Sequence, residues 1–288
     1  MRVLPVLMAQ TPPMPPGDAV ARLHDHVLDQ VGEFPGTRLV VYPEFHTCGT
    51  AGSRSERHRQ YEEMAEPLDG PRVRALRDIA REAGVWLIPG TVVERGPRGE
   101  LFNTALAIAP DGTLAARYRK IFPWRPVEPF TPGAEFVTFD IPEVGRLGLA
   151  VCYDLWFPEV IRQLAWLGAE CVVLPTQTST TDREQELVLA RAAAIQNQVF
   201  VLSVNASGPV GTGRTIAVDP EGLVRCQTSG SSPETLTDVL DLDAVTRVRA
   251  HGTCGLNRMW SQARPGDPVV PLPLYDGRIE PSRWEPLP

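Results

Sequence analysis

Two short runs, Leu39–Tyr42 and Cys171–Leu174, are apolar throughout and stand between stretches with helical spacing. A strand with no polar face must be buried on both sides, so it belongs inside a sheet that is covered front and back. That requirement excludes bundles and open meanders and predicts layered α/β architecture. The rest of the pattern agrees. Strands are expected at Val3–Met8, Val85–Val93, Leu101–Ile108, Leu114–Tyr118, Val137–Phe139, Arg146–Val151, Val199–Val204, Thr215–Val218, Leu223–Cys226 and Asp238–Leu242. Helices are expected from Asp18, as N-cap, to about Val31, and over Pro71–Ala83 ending at Gly84, Pro158–Gly168 and Arg183–Asn197. Turns Gly96–Gly99, Pro110-Asp111-Gly112 and Pro220-Glu221-Gly222 place hairpins among the βα units. Together they predict an α/β sandwich of two mostly buried sheets with helices outside. No linker interrupts residues 1–250, which read as one domain; residues 251–288, rich in Pro, Gly and Arg, read as an ordered but irregular tail.

A formal net charge of -7 argues against nucleic acid or an anionic membrane as partner. No run approaches the roughly 18 apolar residues of a membrane span, and the N-terminus reads as a first strand rather than a signal peptide. The cysteines, Cys48, Cys152, Cys171, Cys226 and Cys254, are odd in number and scattered, with no C-x-x-C pair. Neither a disulfide framework nor a zinc knuckle is favoured, and a reducing cytoplasm is the simplest setting.

Three residues stand out chemically. Cys152 closes an apolar strand in GLAVCYDLWFPE, with a helix starting a few residues later. A strand-to-helix turn presents a side chain at the carboxyl edge of a sheet, and the N–H groups after it can face a developing oxyanion. Against that, free cysteines are among the most buried residue types. Glu44 ends the apolar run LVVYP. An unpaired carboxylate in such a place holds its proton more tightly, which suits a general base near neutrality; the plainer reading is a rim carboxylate. Lys120 ends AARYRK before the aromatic, proline-rich loop IFPWRPVEPFTPG, and alone would pass for a surface cation.

In combination the strings PEF at 43–45, YRK at 118–120 and CYDLWFPE at 152–159 resemble the three catalytic signatures of the carbon–nitrogen hydrolase (nitrilase-like amidase) superfamily. FTPG at 130–133, the Arg191–Gln198 helix end and the Asn205–Gly213 loop support the match, which runs to about residue 245. The resemblance implies a four-layer αββα sandwich with two central mixed sheets, assembled as a homodimer or larger homo-oligomer. It implies Cys152 as nucleophile, Glu44 as general base, Lys120 as the cation supporting the oxyanion beside the Tyr153 backbone N–H, and Glu128 as the glutamate orienting the lysine. The implied reaction hydrolyses a small amide through a thioester and needs no metal or cofactor.

Details bear on substrate. Tyr153-Asp154 follows the nucleophile where nitrilases usually carry Trp-Glu, which favours amides over nitriles. Trp156, with Trp124 where relatives often have His, is expected to wall an apolar acyl pocket, and Thr176, Gln177 or Arg183 to face the substrate. Gln196 and Arg214 also depart from the family pattern. Hydrolysis of a small to medium carboxamide is the leading reading. N-carbamoyl hydrolysis shares the catalytic set, and a nitrilase, a Cys–His hydrolase using His46, or a non-catalytic scaffold stand as alternatives. Met259 and Trp260 in the tail are expected to touch a neighbouring subunit.

Overall fold

Strand and helix alternate as the apolar spacing requires, in the order β1 (Val3–Gln10), α1 (Ala19–Glu33), β2 (Leu39–Val41), α2 (Arg54–Met64), α3 (Pro71–Ala83), β3 (Trp86–Ile88), β4 (Thr91–Arg95), β5 (Leu101–Ile108) and β6 (Leu114–Arg119). There follow β7 (Val137–Ile141), β8 (Gly145–Leu149), α4 (Pro158–Trp166), β9 (Cys171–Thr176), α5 (Arg183–Asn197), β10 (Phe200–Asn205), β11 (Ile216–Val218), β12 (Val224–Gln227), β13 (Glu234–Asp241) and α6 (Asp243–His251). The computed structural model describes residues 1–271 and Gly277.

One sheet runs β13-β1-β2-β3-β5-β4, with β6 also on β5; the other runs β12-β11-β10-β9-β8-β7. Both are mixed. In the first, β1, β2 and β3 are parallel, and in the second β8, β9 and β10 are parallel. Three apolar clusters define four layers. Leu4, Val6, Met8 and Leu39 meet Leu147, Leu149, Cys171 and Val173 between the sheets. Leu23 and Val27 of α1 and Leu76 and Ile79 of α3 cover the outer face of the first sheet. Ile161 and Leu164 of α4 and Leu187 and Ala190 of α5 cover that of the second. This is the αββα sandwich, and β2 and β9, buried at every position, are its inner strands.

Several elements differ from expectation. The run Val85–Val93 is two strands, because Pro89 brings no N–H and Gly90 turns the chain at φ +86°. Strand β13 begins four residues early, since β1 pairs with it along its whole length, Val3 with Asp241 through Gln10 with Glu234. Helices α2 and α6 were not foreseen. α2 buries no residue and so shows no apolar stripe, although Ser53 and Glu56 form a capping box. α6 buries only Val245 and Val248. Asp18 stands at the N-cap of α1 without a side-chain capping bond. Among the described residues no helix is long and apolar enough to cross a membrane. The tail turns back over α4, where Trp260 lies beside Trp166, Arg162 and Arg249 of the same chain; positions 272–276 and 278–288 lie outside the described residues.

Candidate active site

Glu44, Lys120 and Cys152 leave three different strands at the same edge of the sandwich. Glu44 follows β2 by way of Tyr42-Pro43, and the next residue, Phe45, has φ +54° and donates its N–H to Thr91 Oγ1 at 3.0 Å. Gly90 packs so closely here that a Cβ would sit 1.8 Å from the Pro43 carbonyl oxygen. Lys120 follows β6, its N–H bonded to the Asn103 carbonyl at 2.9 Å and its carbonyl accepting from Gly133 at 2.8 Å. Cys152 opens the 3-10 turn Cys152–Trp156 with φ +49°, a conformation few L-residues adopt. Such a bend lifts a nucleophile out of its strand.

The charges converge. Lys120 Nζ lies 3.0 Å from Glu44 Oε1 and 2.7 Å from Glu128 Oε1, and Asn103 Nδ2 donates to Glu44 Oε1 at 2.7 Å. Glu44 and Lys120 are almost fully buried, while Glu128 and Cys152 keep some exposure. Burial works against the Lys120 charge, but Glu128, Glu44 and Cys152 together outweigh it and hold the ammonium above its ordinary range. Burial pushes the Cys152 thiol up, the Glu44 charge pushes it further, and Lys120 opposes both. Burial and Glu44 thus favour the thiol form of Cys152, and Lys120 the thiolate. Burial also raises Glu128, against the pull of Lys120. Glu128 Oε2 and Asn103 Oδ1 are buried without a hydrogen-bond partner.

Asp154, two residues past the sulfur, ties the Cys152 turn to the end of β6 that leads to Lys120. Its carboxylate accepts from Val151 N at 2.9 Å, Tyr118 Oη at 2.8 Å and Phe122 N at 2.9 Å, so its bonds bracket both Cys152 and Lys120. Thr178 Oγ1 lies 3.9 Å from Cys152 Sγ and donates to Glu186 Oε2 at 2.7 Å.

The sequence-predicted substrate residues differ in exposure and in partners. Trp156 is half-buried, its Nε1 donating to Glu186 Oε1 at 3.4 Å. Trp124 is 39% exposed in the loop carrying Glu128. Gln177 is half-buried with an unpartnered Oε1. Thr176 is fully covered, its hydroxyl donating to Leu174 O and touching Ser203 Oγ, and Arg183 is buried in a salt bridge to Glu186. Their polar groups serve the interior of the chain rather than an open surface. Tyr153 is the second residue of the turn that Cys152 opens, and is half-buried. His46 is engaged elsewhere: its Nδ1 meets Thr11 Oγ1 at 3.2 Å and its ring stacks on Tyr42. Among the described residues no three His, Cys, Asp or Glu side chains converge as a metal site requires.

Asn103, Asp154, Thr178 and Glu186 were not foreseen as site residues. Asn103 carried a readable signal, since a polar pair interrupts the apolar strand LFNTALAI. Glu186 carried none, because only the fold shows which face of α5 looks inward.

The family model described as Carbon-nitrogen hydrolase matches residues 9–250. A formamidase of Pseudomonas syringae pv. tomato is 31% identical over 222 residues, 75% of this chain and 64% of its own length. A formamidase of Bacillus thuringiensis is 34% identical over 177 residues, 61% of this chain and 52% of its own. The chain thus spans between half and two thirds of the length of these relatives. Nit3 of Saccharomyces cerevisiae, a member of branch 10 of the nitrilase superfamily, superposes with a TM-score of 0.77 at 26% identity, covering 86% of this chain and 94% of that one. A variant of the amidase from Nesterenkonia sp. AN1, whose active-site cysteine carries acrylamide by Michael addition, gives 0.71 at 26% identity, with 87% and 97% covered.

Proposed function

The chain belongs to the carbon–nitrogen hydrolase family, and on that premise we propose that it is an amidase that converts a small to medium carboxamide to the carboxylic acid and ammonia, with residues 1–250 as its hydrolase domain. The observation that carries the reading is the Lys120 ammonium held between Glu44 and Glu128, with the Cys152 thiol responding to all three.

In this reading Cys152 Sγ attacks the amide carbon while Glu44 takes its proton, which suits a sulfur whose thiol form burial favours. Negative charge moves to the amide oxygen, where Lys120 and the Tyr153 backbone N–H receive it; loss of one such donor typically costs about a hundredfold or more. Glu44 returns the proton to the leaving nitrogen, ammonia departs and a thioester remains. Glu44 then takes a proton from water as its oxygen attacks the thioester, and the acid is released with the thiol restored. The unpartnered Glu128 Oε2 supports an amide over a nitrile, because a carboxamide brings N–H donors and a nitrile brings none. Trp124, Trp156 and Gln177 are proposed to border the acyl group. The formamidase and amidase names of the relatives point the same way.

The test is an ammonia-release screen over carboxamides, N-carbamoyl compounds and nitriles, with Cys152→Ala as control. Turnover of a carboxamide that vanishes in the variant is expected. Turnover confined to carbamoyl compounds would transfer the assignment to them, and activity persisting in Cys152→Ala would place the nucleophile elsewhere. A free catalytic thiol suits a reducing cytoplasm. Homo-oligomerisation through the tail is proposed as well, supported by exposed Trp166 beside Trp260 and by exposed Leu167 next to it in the chain. Sizing of a chain cut after residue 250 tests it, since an unchanged assembly would remove the tail from the interface.

A further inference from the structure

Cys152 also meets a carboxylate that the reaction above does not use, by way of a hydroxyl. Thr178 Oγ1, 3.9 Å from Cys152 Sγ, sends its hydrogen to Glu186 Oε2 at 2.7 Å. A hydroxyl owns one hydrogen, so what it offers the sulfur is a lone pair. The arrangement is pinned from every direction. Thr178 N donates to Asn205 Oδ1 at 2.8 Å, and the Thr178 carbonyl accepts from Thr212 N and Thr212 Oγ1, both at 2.9 Å. Glu186 is fixed by Arg183 Nη1 at 3.0 Å and Trp156 Nε1 at 3.4 Å, and Arg183 in turn by Ser203 Oγ at 3.0 Å and the Arg214 carbonyl at 2.8 Å. Thr178 Oγ1 and Arg183 Nη1 both point at Glu186 Oε2 and Trp156 Nε1 at Oε1, so the group meets the Thr178 hydroxyl as an acceptor.

Resting on Cys152 as the nucleophile, we propose that the Thr178 hydroxyl, its hydrogen committed to Glu186, accepts the S–H of Cys152 and holds the resting nucleophile as a thiol in one orientation. Thr178 and Glu186 are then positioning residues. Attack begins when the S–H turns from Thr178 toward Glu44, a rotation about the Cβ–Sγ bond that breaks only a weak hydrogen bond. The charged groups facing this sulfur are Glu44 after β2, Lys120 at the end of β6, Glu128 in the following loop, and Glu186 and Arg183 on α5, with Asp154 in the sulfur's own turn. Glu186 adds to the upward push on the thiol.

The experiment is the pH dependence of Cys152 alkylation by iodoacetamide, read by peptide mass spectrometry on the full chain, with thermal unfolding recorded for each variant. Thr178→Ser keeps the hydroxyl and is expected to keep the wild-type midpoint. Thr178→Ala loses the acceptor and admits water; its midpoint is expected to fall by about half a pH unit, roughly threefold faster alkylation at fixed pH below it. Glu186→Gln is expected to lower the midpoint by about one unit, because a charge opposing the thiolate is gone. Identical Thr178→Ala and Thr178→Ser profiles would overturn the proposal by leaving the hydroxyl no part. A midpoint raised in Thr178→Ala would also overturn it, showing that the hydroxyl donates to sulfur. If Glu186→Gln fails to fold once Arg183 is unpaired, the Thr178 pair decides alone. Alkylation needs no turnover, so a substrate screen without any positive removes the proposed amidase reaction and leaves this measurement standing.

Discussion

Lys120 Nζ is shared between Glu44 Oε1, at 3.0 Å, and Glu128 Oε1, at 2.7 Å, with no part of its side chain open to solvent. One buried cation thus serves two carboxylates, and neither carboxylate has another cationic partner among the salt bridges of the described residues. The lysine is consequently structural as well as part of the proposed reaction, because removing it leaves two carboxyl groups facing each other in a buried site without their cation.

Lys120→Met is therefore expected to abolish amide turnover and to lose about 3–5 kcal/mol of stability in urea unfolding. The double variant Lys120→Met/Glu128→Gln should recover part of that stability, since one of the two stranded charges is gone, while staying inactive. A double variant less stable than the single one would contradict charge sharing as the reason for the arrangement.

Gly90 sets the position of Glu44 by steric means. Its φ of +86° is strained for any other residue, and a Cβ would meet the Pro43 carbonyl oxygen at 1.8 Å. Gly90→Ala must push back the backbone that carries Glu44. A loss of about 2–4 kcal/mol is expected, with a fall in kcat beyond what the unfolded fraction explains. Unchanged kcat in the folded fraction would mean that the close approach does not govern the base.

How much of this was legible in the sequence follows from how each feature is encoded. Strands such as Leu39–Val41 and Cys171–Thr176 announce themselves because a buried element must be apolar wherever it is cut. Glu44, Lys120 and Cys152 were legible because each stands in a short string with its own pattern. Helix α2 was not, since nothing on it is buried and only its capping box marks it. The Pro89-Gly90 break was written in the sequence but overridden by the apolar residues on both sides. Thr178 and Glu186 reach Cys152 only after α5 packs on the second sheet, and Asn103 meets Glu44 only because β5 lies between β3 and β6. Contacts made by sheet order leave no mark in local spacing.

His46, two residues past Glu44, gives the site a defined response to acid. Burial drives its pKa down to about 3, with His26 adding to the effect, so the folded chain holds the ring neutral. A base whose folded pKa lies below its unfolded value of about 6.5 binds its proton preferentially in the unfolded chain. Stability from this group is therefore full above pH 6.5 and is lost as pH falls toward 3, at about 1.4 kcal/mol per unit. Urea unfolding at pH 7, 6 and 5 should show the wild type weakening on acidification and His46→Gln weakening less steeply. Parallel slopes would place the acid sensitivity in other groups.

Asp154 offers the sharpest separation of structure from chemistry. Three donors converge on it: Val151 N beside Cys152, and Tyr118 Oη and Phe122 N on either side of Lys120. Only a carboxylate can accept from all of them, and the arrangement holds it buried even though burial raises its pKa to about 6. In Asp154→Asn one side of the group becomes an N–H pair facing another donor, so a buried hydrogen bond is replaced by a repulsive contact, at about 2–3 kcal/mol. Because the bonds fix the Cys152 turn relative to Lys120, kcat of the proposed reaction is expected to fall at least about a hundredfold while KM changes little, a loss of alignment rather than of binding. Tyr118→Phe removes one donor and leaves the carboxylate two, so about 1 kcal/mol and a several-fold loss of kcat are expected. An Asp154→Asn variant that unfolds earlier yet keeps its kcat would show that the tie stabilises the fold without aligning Cys152 and Lys120.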